Sequence, residues 1–206
     1  MSLILAGGNK DFLILGGEQR AMSKDGYVIS ENFRKVYRIN DDLMVAFAGK
    51  IRYCEEILNP IRQYDKDDKN PFVNVEISYD IENMVENVKK RLEGTEDAGC
   101  FFGIILCGKM LHGKPKDSER NPFFMHTYIY NGKLAVSRRL FKDSGIRWSA
   151  LYGNSYNHMK FCKETFQRKF AINLDDTKEV FDLTFENGAK HDRTVNNQVI
   201  YEILEQ

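Results

Sequence analysis

The apolar positions of this 206-residue chain fall into short runs at first and into periodic stretches further on. Residues 3–6 and 12–15 are two such runs separated by Gly7, Gly8, Asn9, Lys10 and Asp11, a pattern that predicts a β-hairpin. Gly16 and Gly17 read as turn or bulge positions, and after a turn at Lys24, Asp25 and Gly26 residues 27–30, 35–39 and 43–47 continue as short strands. A helix begins near Tyr53 and is interrupted or capped by Pro60, and the polar stretch 65–70 ahead of Pro71 is a loop. From Asp80 to Gly94, Ile81, Met84, Val85, Val88 and Leu92 recur at helical spacing, which predicts an amphipathic helix opening on an aspartate cap. Strands return at residues 101–107, 123–130, 133–137 and 149–152, with Asn131-Gly132 as a hairpin turn and 114–121 as a solvated loop. Beyond Ser155, Tyr156, Met159, Cys162, Phe166 and Phe170 share one side of a helix. A further helix covers 176–189, with Asp176 and Glu179 as a capping box and Leu174 as its staple, and 198–204 is a closing strand. This order predicts an α+β fold in one domain over residues 1–206, two antiparallel sheets packed together with helices on the outer faces.

Charge and composition narrow the partners. Lys and Arg number 30, as do Asp and Glu, so no net positive field draws the chain to nucleic acid or to an anionic membrane. No apolar run approaches the roughly 20 residues a membrane helix needs, and the start lacks the basic segment of a secretory signal, which points to the cytoplasm. Cys54, Cys100, Cys107 and Cys162 form no CxxC pair and no zinc-like spacing with His112, His126, His158 or His191, so they read as reduced, packed thiols. The histidines are dispersed and read as surface or satisfied core residues, and Asp41-Asp42 as a solvated turn. Phosphate-loop, dinucleotide-binding, nucleophile-elbow and zinc-protease motifs are missing, and neither a cofactor nor a metal is expected.

One arrangement does carry chemistry. A short N-terminal strand and hairpin lead into ILGGEQRAMSKDGYVISENFRKVYRI (residues 14–39) and then MVAFAGK (residues 44–50). This resembles proteasome core-particle β-subunits and their bacterial HslV-type relatives, within the N-terminal-nucleophile (Ntn) hydrolases. Glu18, Arg20, Ala21, Tyr27 and Lys35 fill the places of that family's acidic residue, Arg-Ala pair, strand tyrosine and lysine, and Ala48-Gly49 falls at its Ala-Gly turn. Residues 101–108 resemble the family's central strand, Tyr152-Gly153-Asn154 its turn into a helix, and His191-Asp192 an aspartate beyond the last long helix. The resemblance implies a four-layer αββα sandwich.

It also implies a mechanism in which the first mature residue is the nucleophile and its own α-amine the general base. An α-amine with a pKa of about 7.7–8.0 is partly neutral at working pH, whereas an internal amide is not basic. On this resemblance Ser2 is the nucleophile once Met1 is removed, Lys35 lowers the pKa of its hydroxyl and amine, and Glu18 holds Lys35. The Gly49 amide faces the oxyanion and Asp192 supports the terminal amine. Implied too are a peptide or small-amide substrate, a ring or other homo-oligomer, and an ATP-dependent unfolding partner. Three residues depart from the pattern: Glu18 stands in place of Asp, Asn154 in place of Ser, and Val195 where a hydroxyl residue is expected three positions after Asp192. They keep open a non-catalytic scaffold or binding subunit on the same fold. Residue by residue there are plainer readings as well: Lys35 as one more charge beside Arg34, Glu18 and Arg20 as a surface ion pair, and Gly49 as a simple turn.

Overall fold

The computed structural model describes residues 2–61, 73–110, 122–152 and 156–206. Strand β1 (Ile4–Gly8) turns at Asn9, whose side-chain oxygen accepts from the Asp11 and Phe12 amides at 2.9 and 3.3 Å, into β2 (Phe12–Glu18). A small hairpin, β3 (Ala21–Met22) and β4 (Val28–Ser30), precedes β5 (Val36–Asn40), β6 (Leu43–Gly49) and helix α1 (Ile51–Leu58). Helix α2 (Val73–Leu92) leads to β7 (Phe101–Lys109), β8 (Phe123–Asn131), β9 (Leu134–Phe141) and β10 (Arg147–Leu151). Helices α3 (His158–Lys169) and α4 (Leu174–His191) and strand β11 (Val199–Glu205) complete the order. The larger sheets run β10-β1-β2-β11 and β5-β6-β7-β8-β9, with antiparallel neighbours throughout.

Side-chain alternation explains why both sheets are buried on two faces. Successive residues of a strand point to opposite sides. Ile4, Ala6, Leu13 and Leu15 therefore meet Val36, Met44, Ala46, Ile105 and Cys107 between the two sheets. Leu3, Leu5 and Ile14 point the other way, into Cys162, Val180, Phe181 and Phe185 of α3 and α4. On the far side Ile57, Ile77, Ile81, Val85 and Val88 of α1 and α2 cover Val45, Phe47, Phe102 and Ile104 of the five-stranded sheet. The result is the expected αββα sandwich. All four cysteines are free, with Cys54, Cys107 and Cys162 buried.

Local expectations are corrected in places. Gly16 and Gly17 form no turn but lie inside β2, where a Cβ on Gly16 would come within 2.5 Å of the Tyr201 ring and one on Gly17 within 2.6 Å of Val36. These glycines admit neighbouring side chains against the backbone. Asp80 lies within α2, which starts at Val73, about two turns earlier, so it does not open the helix. The cap of α4 is Asn173 rather than Asp176: its side chain accepts from the Asp176 amide at 2.9 Å, while Asp176 accepts from the Ile172 amide at 3.2 Å. Glu179 pairs with Lys169, and Leu174 is already helical. Tyr156 precedes α3, whose cap is Asn157. The loops expected at 65–70 and 114–121 lie outside the described residues.

Candidate active site

The buried end of β2 meets the start of β5. Glu18 is fully buried opposite Val199 of β11, and Lys35, immediately before β5, is 3% exposed. The Lys35 ammonium donates to Glu18 Oε1 and, at 2.5 Å, to the Arg20 carbonyl oxygen. Glu18 Oε1 also accepts from the Leu3 amide at 3.3 Å, and Oε2 accepts from the Arg20 amide at 2.6 Å. One carboxylate thus ties the N-terminal residues, the turn after β2 and the lysine together. Burial pushes the Glu18 carboxyl up and the Lys35 ammonium down from their ordinary pKa values, and their mutual attraction opposes both shifts. The plainer readings of these residues fail: Lys35 is no surface charge, and the Arg20 guanidinium contacts Glu31 at 3.0 Å and the Arg193 carbonyl at 2.6 Å instead of Glu18.

Ser2 is buried beside this centre, one residue before the Leu3 amide that binds Glu18. Its hydroxyl is not among the hydrogen-bond partners of Lys35. Gly49 closes β6 with φ of +98°, a conformation that favours glycine, and a Cβ there would lie 2.3 Å from the Phe101 carbonyl oxygen. Successive strand amides point to opposite edges. Phe47 donates to the Lys35 carbonyl at 3.1 Å and Lys50 to the Phe101 carbonyl at 2.8 Å on the other edge, so the Gly49 amide is directed toward the Lys35 edge. Beside Gly49 opens a cleft of about 660 Å³ walled by Phe101, Ile129, Leu151 and Tyr152. Lys50 at its rim pairs with Asp97, which also accepts from the Tyr53 hydroxyl at 2.5 Å.

Asp192 caps the C-terminal end of α4 and is 2% exposed. Its Oδ1 accepts from the Thr194 amide and hydroxyl at 2.9 and 2.7 Å, and its Oδ2 lies 3.1 Å from His158 Nε2. Sequence reasoning missed His158 and Thr194. The Asp-Arg-Thr spacing signals a side-chain turn and was available, whereas nothing local marks His158. Val195 carries no hydroxyl and packs in the cluster that contains Leu3. Gly153, Asn154 and Met1 lie outside the described residues. Among the described residues no group of His, Cys, Asp and Glu is arranged to hold a metal ion.

A second histidine, His126 on β8, is half-buried. His126 Nδ1 lies 3.1 Å from the Ser78 hydroxyl, and burial, reinforced by the Arg138 charge, holds its pKa at about 4. That value is below the ordinary 6.5, so the stability tied to the neutral ring is complete above pH 6.5 and is lost as pH falls toward 4. His126→Gln is expected to flatten this acid branch, measured as the change in urea midpoint between neutral and mildly acidic buffer.

Comparisons with known proteins agree with this architecture. A family model described as "Proteasome subunit" matches residues 3–115, more than half of the chain. The chain is similar to HslV of Trypanosoma brucei, with 16% identity, 99% of each chain covered and a TM-score of 0.56. It is also similar to Anbu, the ancestral β-subunit, of Yersinia bercovieri (14% identity, 98% of this chain and 81% of that one, TM-score 0.68). The Anbu complex of Pseudomonas aeruginosa, solved as a helical assembly, matches at 16% identity over 98% of this chain and 81% of that one, with a TM-score of 0.67. No curated protein matches the chain. No helix among the described residues is long and apolar enough to cross a membrane. With a family model matching more than half of the chain, from β1 through β7, and the αββα layers in place, the chain belongs to the proteasome subunit family and has its Ntn-hydrolase fold.

Proposed function

We propose that the chain is an N-terminal-nucleophile hydrolase that cleaves peptide or small-amide bonds with Ser2 after Met1 is removed. The observation that carries this reading is the buried Glu18–Lys35 pair, with the Leu3 amide bound to the same carboxylate. A buried charge pair is a weak contributor to stability, and its placement against the Leu3 amide, next to Ser2, suits chemistry better than folding. The freed α-amine takes the hydroxyl proton as Ser2 Oγ attacks the substrate carbonyl carbon. The Gly49 amide donates to the oxyanion, and one such donor typically lowers the barrier by about 3–4 kcal/mol. The carbon–nitrogen bond then breaks, the amine leaves with that proton, and an ester remains on Ser2. Water gives a proton to the α-amine as it attacks the ester carbon; the bond from that carbon to Ser2 Oγ then breaks, the carboxylic acid leaves, and the proton passes to Oγ to restore the hydroxyl. Lys35 acts as a fixed cation that favours the hydroxyl's ionised form, and Asp192 supports the terminal amine from its own side of the site. The cleft beside Gly49 receives the substrate.

The reading extends to a homo-oligomer, in line with the helical assembly of the Pseudomonas relative, to a cytoplasmic location, and to an ATP-dependent unfolding partner. One observation favours the second reading, a non-catalytic subunit: the Ser2 hydroxyl makes no hydrogen bond to Lys35. Hydrolysis of fluorogenic peptide amides separates the two. Protein verified by intact mass to begin at Ser2 is expected to turn the substrates over, and Ser2→Ala to abolish turnover. Absence of turnover across a varied peptide set supports the scaffold.

A further inference from the structure

The support around Asp192 is not the one the resemblance leads to expect. Val195 occupies the place of an expected hydroxyl residue and is buried with Leu3 and Phe185. The Asp192 carboxylate is instead held by the Thr194 amide and hydroxyl on one oxygen and by His158 on the other. We infer that His158 is a positioning residue that fixes Asp192 and, through the 192–196 loop, the backbone on which Lys35 rests; this builds on the reading of Lys35 as a working group of the site.

The path is a series of contacts running from α3 to the exit of β2. His158 opens α3, is 1% exposed and lies between the rings of Tyr152 and Tyr156, whose centroids are 5.9 and 5.0 Å away. Among the described residues its Nδ1 has no hydrogen-bond partner, and it faces Gly188, where a Cβ would lie 3.3 Å from it. With a partner at Nε2 alone, the neutral Nε2–H tautomer is the form that leaves no donor unpaired, and it donates to Asp192 Oδ2. The positive end of α3 also disfavours a second proton on the ring. From Asp192 the loop fastens to the exit of β2 at two points. The Arg193 carbonyl accepts from the Arg20 guanidinium at 2.6 Å, and Asn196 Oδ1 accepts from the Gln19 amide at 3.1 Å. Arg20 in turn offers its carbonyl to Lys35 and its amide to Glu18. Releasing Asp192 therefore loosens the turn that holds one of the two Lys35 acceptors. A carboxylate buried to this extent does not tolerate losing a donor without moving toward water.

The test reads Lys35 itself and needs no substrate. In protein carrying isotope-labelled lysine, the ε-carbon NMR signal of Lys35 is assigned by its loss in Lys35→Met. His158→Phe keeps a ring in the cage and removes the donor. It is expected to move the Lys35 signal toward that of a solvated lysine and to raise the rate of Lys35 methylation by about ten- to a hundred-fold, the opening that follows loss of one charge-assisted hydrogen bond. His158→Gln, whose amide can donate from nearly the same place, is expected to restore both. If His158→Phe does not fold, Thr194→Val, which removes the hydroxyl from Oδ1, is expected to shift Lys35 in the same direction. A lower urea midpoint with an unchanged Lys35 signal and rate, in His158→Phe or in Thr194→Val, overturns the inference and leaves His158 a core residue. Failure of the hydrolase reading shows separately, as lack of turnover in protein whose Lys35 responds as stated.

Discussion

Replacing Lys35 with methionine is expected to lower stability by about 3–5 kcal/mol, seen as a fall in urea midpoint at unchanged slope, because it strands the Glu18 carboxylate in the interior. Glu18 is fully buried and Lys35 nearly so, so water cannot take over the lost contact. The Leu3 and Arg20 amides still donate to the carboxylate, but neutral donors do not replace a cation. The double change Glu18→Gln with Lys35→Met removes both charges and is expected to recover most of the loss. The two single changes therefore sum to more than the pair, and that non-additivity is the signature of direct coupling. On activity the outcomes separate: the double variant regains its fold but stays at least about a hundred-fold below the parent, since the cation is still missing.

Gly49→Ala is expected to cost about 2–4 kcal/mol of stability and to remove turnover along with it. Its φ of +98° strains any side chain, and the added Cβ would press on the Phe101 carbonyl oxygen at 2.3 Å and the Phe102 Cα at 2.8 Å. Both are backbone atoms of β7, paired on its two sides by β6 and β8, so relief requires opening the middle of the five-stranded sheet. Gly99→Ala, on the same cleft but with nothing within 4 Å of the new Cβ and no positive φ, is expected to stay within about 0.5 kcal/mol of the parent. Thermal or urea denaturation of the three proteins side by side checks the contrast. A mild effect at Gly49 would mean that the end of β6 is free to relax, which removes the argument for a fixed donor there.

Much of the architecture was legible because it depends on local pattern. Residues 3–6 and 12–15 flank a turn of small and polar residues, and Asn131-Gly132 sits between two apolar runs, with Gly132 taking a φ of +86°. Ile81, Val85, Val88 and Leu92 follow the helical period and all pack on the five-stranded sheet. What misled were residues whose role is set by distant partners. Gly16 and Gly17 look like a turn until Tyr201 of β11 and Val36 of β5 are seen filling the space above them. Asp176 looks like a cap because Glu179 follows it at the right spacing, yet Asn173 stands one turn earlier and Lys169 takes Glu179. The site divides the same way. Glu18, Lys35 and Gly49 were readable through family resemblance alone, since pairing a carboxylate with an amine seventeen positions away depends on how β2 and β5 come together. His158 carried no local signal at all, because only the packing of α3 on α4 sets it against Asp192.

The measurement that bears most directly on the central claim is the site of covalent labelling by an electrophile selective for terminal hydroxyl nucleophiles, mapped by mass spectrometry. Protein beginning at Ser2 is expected to gain one adduct, on Ser2, and Lys35→Met with Glu18→Gln to gain none. An unmodified Ser2 on a verified free terminus, or equal labelling without the lysine, would contradict the account and leave the chain a family member that keeps the sandwich without the chemistry.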